Sequence, residues 1–237
     1  MTPTPTDSPR RTVLFDMDGT LFPLDSQLRF CRWVLRRHGW RRLYLLFLLP
    51  MGLLKALGLI RTATMKRAFL SYAWGMKKDT LQAECRAFAE EEILPALYPE
   101  VRERLEAHLR AGDRCVLCSA SPDWWTQEVG RLLGFTHTIG TPLLMGERVP
   151  LMPRIPAPGN NKGANKLLRL EERCGITHAA MGYTDSAADI PLLSLCEQAV
   201  LVNPKPGFAA LYPQATILTP AQGSHGLLTV VRALLGC

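Results

Sequence analysis

Several common designs are excluded by what this chain does not contain. Neither G-x-G-x-x-G nor G-x-x-x-x-G-K-[ST] occurs in its 237 residues, so the dinucleotide and P-loop phosphate fingerprints are absent. No internal repeat argues for a solenoid. The five histidines are scattered singly, which leaves no zinc constellation. The seven cysteines are odd in number and lack framework spacing, which fits a reducing compartment. Cys115-x-x-Cys118 falls in an apolar run that reads as a strand, where residues three apart face opposite sides, so both are expected to be core thiols. Met1 to Arg11 is rich in Thr and Pro without the apolar core of a signal peptide. It reads as a disordered lead-in to a cytoplasmic chain. Charged residues are only 21% against 47% hydrophobic, so a packed core is expected and wholesale disorder is not.

What is present begins with Thr12-Val13-Leu14-Phe15-Asp16-Met17-Asp18-Gly19-Thr20-Leu21. Val13 to Phe15 has the length and composition of a buried strand. It runs straight into two aspartates one residue apart. Desolvating two carboxylates side by side costs several kcal/mol unless something neutralises them, most simply a divalent cation with oxygen ligands. The competing account is a solvated Asp-Gly turn.

Downstream, residues 23–95 read as an all-helical insertion. Arg29, Arg32, Arg36, Arg37, Arg41 and Arg42 crowd its start, and the net charge of +7 is therefore uneven, which suggests an anionic partner or surface near this segment. Leu43 to Ile60 follows with a single charge, Lys55, and interruptions at Pro50, Gly52 and Gly58. Three accounts stand: a buried helical hairpin in a small cap, a monotopic face resting on a membrane, or a true span, which wants about 20 mostly apolar residues. Asp79 is a plausible N-cap of a further helix, and Asp25 and Arg61 are candidate cap-side selectivity residues that read as readily as capping or surface groups.

Arg114 to Cys118 is a second buried strand ending in Ser119-Ala120-Ser121-Pro122. Ser121 fits an N-cap, leaving Ser119 at a strand end beside a helix N-terminus. Trp124 and Trp125 read as packing residues, and 140–158 as an irregular loop or short hairpin. Lys162 is read into the first turn of the next helix, against its dipole, which makes sense if it faces an anion. Lys166, four positions on, is the competing lysine and is expected to be solvated. Ala179 to Tyr183 is a strand that terminates in Asp185, with Asp189 four residues later, a candidate helix cap. Val200 to Val202 and Ala215 to Leu218 supply further strands, and 227–235 a closing helix. Strands alternating with helices predict an α/β fold: a three-layer, Rossmann-like core with a mostly parallel sheet, its ligands beyond the strands' carboxyl ends, and an all-helical cap inserted after the first strand. The core is expected over 12–22 and 96–237.

These motifs resemble those of the haloacid dehalogenase-like (HAD) hydrolases. Asp16-Met-Asp18-Gly-Thr20 is similar to their first motif, Ser119 in Cys-Ser-Ala-Ser to the second, Lys162 to the third, and Gly182-Tyr-Thr-Asp185-x-x-x-Asp189 to the fourth. Thr184 stands where many members carry Gly or Ser. The cap position matches the phosphoserine-phosphatase-like branch, subfamily IB. The resemblance implies a Mg²⁺-dependent phosphomonoesterase. In it Asp16 is the nucleophile and Asp18 the acid and base. Asp16, Asp18 (through its carbonyl) and Asp185 hold the metal, Ser119 and Lys162 hold the phosphoryl group, and Thr20, Ala120 and Asp189 support them. Asp18 favours phosphatase over dehalogenase chemistry, since halide needs no proton. The implied partner is a small phosphorylated substrate, phosphoserine-like or lipid-linked, with peripheral membrane contact through the cap in the latter case and no nucleic acid. The second reading is a catalytically silent module for membrane or partner binding, which predicts that Asp16→Asn leaves function intact.

Overall fold

The computed structural model describes residues 11–220. The expected lead-in and the closing helix over 227–235 lie outside the described residues, apart from Arg11. Six parallel strands, β1 (Thr12–Phe15), β2 (Arg114–Pro122), β3 (His137–Thr141), β4 (Ala179–Thr184), β5 (Cys196–Val202) and β6 (Thr216–Leu218), form one sheet in the order β3-β2-β1-β4-β5-β6. Parallel strands need crossovers, and these supply helices for both faces. The two faces are distinct in the core. Val13, Phe15 and Cys115 pack on one side, and Leu14, Val116 and Cys118 on the other. The two thiols of Cys115-x-x-Cys118 are thus buried on opposite sides of the sheet.

Between β1 and β2 the chain is helical. It forms α1 (Ser26–Arg37), α2 (Tyr44–Ala56), α3 (Thr62–Phe69), α4 (Lys78–Phe88) and α5 (Pro99–Arg110), with short 3-10 and π turns between them. The later helices are α6 (Asp123–Leu132), α7 (Ala164–Cys174), α8 (Ile190–Leu193) and α9 (Pro206–Ala209). The chain direction across the sheet reverses at β1, whose neighbours are β2 and β4, so the crevice for ligands opens where these three strands end. Phe15 stacks on Tyr183 across β1 and β4, with ring centroids 4.3 Å apart, and this holds those two ends in register. Phe30 of α1 lies 4.8 Å from the buried Trp125 of α6, joining the helical insertion to the sheet layer.

Three local expectations are corrected. No residue of α2 is buried, so the 43–60 stretch is not a buried hairpin, and no described helix is long and apolar enough to cross a membrane. Apolar composition reports a preference for leaving water, not the presence of a partner to pack on. Asp79 lies in the first turn of α4, whose cap position belongs to Lys77. Ser121 does not cap α6: β2 runs on to Pro122, and the Ser121 hydroxyl is committed elsewhere.

Candidate active site

Asp16 follows β1 directly, and its backbone N–H donates to the Tyr183 carbonyl of β4 at 2.9 Å. Its carboxylate is buried against Lys166, whose Nζ lies 2.7 Å from Asp16 Oδ1 and 2.7 Å from Asp189 Oδ1. Lys166 is fully buried, which corrects the expectation that it is solvated. The reason lies in a helix boundary. Gly163 holds a positive φ and α7 starts at Ala164, so Lys162 precedes the helix and Lys166 occupies its first turn. A cation in that first turn does face an anion, and the cation is Lys166. Burial works against its ammonium, yet Asp16 and Asp189 outweigh burial and its pKa is raised. Asp189 makes no side-chain cap bond. It accepts from Thr184 Oγ1 at 3.0 Å, which gives the departure at position 184 a local use.

Asp18 is held by two donors. The Ser26 N–H reaches Oδ1 at 2.9 Å, and the Ser121 hydroxyl donates to Oδ2. Ser121 Oγ is 3.0 Å from Ser26 Oγ, which accepts from Trp125 Nε1 at 2.8 Å. While Asp18 is ionised the single Ser121 proton goes to its carboxylate, so Ser26 donates to Ser121 and itself accepts from the indole N–H. Burial, the larger influence, still raises the Asp18 carboxyl to about 6. Ser119 lies on the floor behind, with no exposed surface. Its Oγ accepts from the Ser121 N–H and its carbonyl from Asn161 Nδ2.

Asp185 completes the edge from β4. A methyl group on Gly19, whose φ is +80°, would sit 2.4 Å from Asp185 Oδ2, so only glycine lets the two loops close on each other. Thr20 Oγ1 lies 3.5 Å from Asp16 Oδ2 and 3.4 Å from Asp185 Oδ1, so the two carboxylates flank one hydroxyl. Burial is the chief cause that raises Asp16 to about 8 and Asp185 to about 6, with Lys166 pulling Asp16 the other way. The edge thus carries more buried negative charge than one lysine offsets. Among the described residues no three His, Cys, Asp or Glu side chains converge as an all-protein cage. Mg²⁺ does not ask for one: it keeps its waters and takes one or two carboxylates plus substrate phosphate. Asp16 and Asp185, which flank Thr20 Oγ1, fit that demand.

A cleft of about 490 Å³ is lined by Asp18, Ser121 and Asp185 from the sheet side and by Asp25 and Lys66 from the helical insertion, with Asp16, Ser119 and Lys166 buried behind that lining. Asp25 is also the N-cap of α1, accepting from the Leu28 N–H at 3.0 Å; Arg61 does not line the cleft. Lys162 is exposed at its rim. Lys66, on α3, was not identified from the sequence. Its Nζ donates to the Ala120 carbonyl at 2.8 Å and to Asn160 Oδ1, fastening the insertion to the strand-end loops. Burial lowers its pKa to about 8. Ser26 and Ser121 were also missed as partners of Asp18. They lie 8 and 103 positions from it, and only the folded chain joins the three.

A family model described as haloacid dehalogenase-like hydrolase matches residues 13–194, which takes in Asp16, Asp18, Ser119, Lys166, Asp185 and Asp189. The chain belongs to the haloacid dehalogenase-like hydrolases. A histidinol-phosphatase of Neisseria meningitidis is 27% identical over 218 residues, covering 82% of this chain and 91% of that protein. Phosphoserine phosphatase SerB1 of Mycobacterium tuberculosis is 29% identical over 202 residues, 81% of this chain but 64% of its own length. Among solved structures, a Bordetella pertussis protein of unknown function superposes with TM-score 0.74 at 24% identity, over 90% of this chain and 99% of that one. A substrate-bound phosphoserine phosphatase superposes with TM-score 0.58 at 12% identity, over 91% and 96%, which speaks to the fold alone.

Proposed function

We propose that this HAD hydrolase is a Mg²⁺-dependent phosphomonoesterase working through an aspartyl-phosphate. The observation that carries the reading is the pairing of two carboxylates in different states of restraint at one strand end. Asp16 is locked by Lys166, and Asp18 is turned toward the cleft on a chain of donors. An Asp16 oxygen attacks phosphorus and the ester P–O bond breaks. Asp18 protonates the departing alkoxide. It then takes a proton from the water that attacks the same phosphorus, releasing phosphate and restoring Asp16. A carboxyl raised to about 6 suits both duties near neutral pH. When bound by Asp16, Asp185 and the Asp18 carbonyl, Mg²⁺ supplies positive charge against the phosphoryl oxygens. Lys166 supplies fixed positive charge beneath them, Asp189 holds that lysine in place, and Ser119 and the backbone around Ala120 bound the phosphoryl pocket. The roles attached to Lys162 thus divide: Lys166 takes the position against the nucleophile, and Lys162 faces substrate at the rim. The reading takes 23–95 as the cap over a core of 12–22 and 96–220.

The substrate is a small phosphomonoester carrying a second anionic group for Lys66 and Lys162. A phosphoserine-like ester and a lipid-linked phosphate both meet that description, and the relatives' phosphatase names support the reaction class. A screen of sugar, amino-acid and lipid phosphates with Mg²⁺ and with EDTA tests the proposal. Hydrolysis that needs Mg²⁺ supports it, and a chain inert toward every monoester sinks it.

Two expectations follow from the charges. Lys66 loses its proton as pH rises through about 8, so KM for a substrate with a second anionic group rises above that pH by about tenfold. In Lys66→Gln that pH dependence vanishes, and a wild-type KM that stays flat to pH 9.5 rejects the assignment.

The metal-free fold should also lose stability with rising pH. Asp16, Asp18 and Asp185 have folded pKa values above the usual carboxyl value of 3.8. They bind more protons folded than unfolded from about pH 4 up to 6 for Asp18 and Asp185, and to 8 for Asp16. Their favourable contribution is complete below that window and lost across it. Mg²⁺ offsets the loss, so at hundredfold excess over Kd it stabilises by about 2.7 kcal/mol, raising Tm by roughly 5–10 °C at pH 7.5 and much less at pH 5. Thermal melts at the two pH values check this, and equal shifts at both contradict it.

A further inference from the structure

The surface of the helical insertion away from the cleft carries a second device. α2 presents Leu46, Leu49 and Leu53, followed by Leu57 at its C-cap, at 3- and 4-residue spacing and each between 61% and 71% exposed. Leu43, Trp40 and Trp74, each more than half exposed, gather beside it. Beside α2 the patch runs inward to an apolar cavity of about 320 Å³ lined by Trp40, Phe47 and Trp74. Contiguous apolar surface on this scale marks an interaction site.

Charge decides what it meets. No Asp or Glu occurs between Asp25 and Asp79, while Arg42 precedes α2, Lys55 occupies its last turn and Arg61 follows it. Arg42 and Arg61 are exposed and make no ion pair among the described residues. An apolar ridge bracketed by cations and by exposed tryptophans matches an anionic leaflet. Leucines enter the acyl boundary, indoles settle at headgroup depth and arginines meet lipid phosphate. α2 has 13 residues, a length of about 20 Å, so it lies along the leaflet and does not cross it.

We propose that α2 is an interfacial docking helix that seats the protein on an anionic phospholipid bilayer. The proposal is independent of the catalytic reading, since it uses no residue of the cleft.

The test is co-sedimentation of the full chain with vesicles of equal parts phosphatidylglycerol and phosphatidylcholine, and with phosphatidylcholine alone. Binding is expected to the first and to be at least tenfold weaker to the second, and to fall as salt rises. The triple variant Leu46→Ser, Leu49→Ser, Leu53→Ser should weaken binding at least tenfold. Arg42→Glu with Arg61→Glu should weaken it on the anionic vesicles alone. Both should keep the wild-type circular dichroism spectrum and turnover of a soluble aryl phosphate. Asp16→Asn should bind vesicles like wild type, so a failed phosphatase assay leaves this result readable. Three results overturn the proposal: no binding to anionic vesicles at low salt, binding unchanged by the leucine substitutions, or no vesicle binding together with a dimer in solution that those substitutions dissociate.

Discussion

Asp16→Asn is expected to lower kcat on any accepted phosphomonoester by at least about 10⁴-fold while the protein stays folded. Losing a nucleophile removes the covalent route altogether, and effects of that order or larger accompany loss of a group of this kind. The fold should not suffer. Burial works against the charge on Asp16, and asparagine keeps the shape of the side chain without that charge. Lys166 keeps Asp189 as an ion-pair partner in the variant. A melting temperature equal to or above wild type, joined to lost turnover, is the expected pair of results. Turnover within tenfold of wild type would remove Asp16 from the chemistry.

The two lysines should separate cleanly. Lys166→Met leaves Asp16 and Asp189 facing each other in the interior without a cation, and stranding buried charge in this way costs about 3–5 kcal/mol. Both Tm and kcat should fall sharply. Lys162→Met removes an exposed rim cation, so Tm holds and KM rises by about tenfold or less. Urea unfolding and steady-state kinetics on the two variants decide the matter. A stable, active Lys166→Met protein would mean that the buried cation is dispensable and that the rim lysine carries the role.

The acidic side of this site was legible because it breaks a rule visible in the sequence. Apolar strands do not end in aspartates without cause, and Asp16, Asp18 and Asp185 all do so. The parallel sheet followed from alternating elements, and the opposite-facing Cys115 and Cys118 from strand periodicity. The burial of Lys166 against Asp16 was missed because it depends on where α7 begins, and two residues of error moved the first turn from Lys166 to Lys162. Ser26, Ser121 and Lys66 gave no local signal. Each acts through a partner brought near only by folding, and a serine or lysine in a helix or at a strand end is otherwise unremarkable. The 43–60 stretch misled in the other direction. Its hydrophobicity was plain, but whether protein, lipid or solvent covers it is a property of surfaces the sequence does not arrange by itself.

The donor chain behind Asp18 has one further bearing on turnover. Ser26 is the first residue of α1, so the amide that steadies Asp18 Oδ1 comes from the helical insertion, while Ser121 comes from the carboxyl end of β2. Any displacement of α1 would withdraw Ser26 from Asp18, Ser121 and Trp125 together. The aim of the Asp18 carboxyl thus depends on the insertion staying seated against α6.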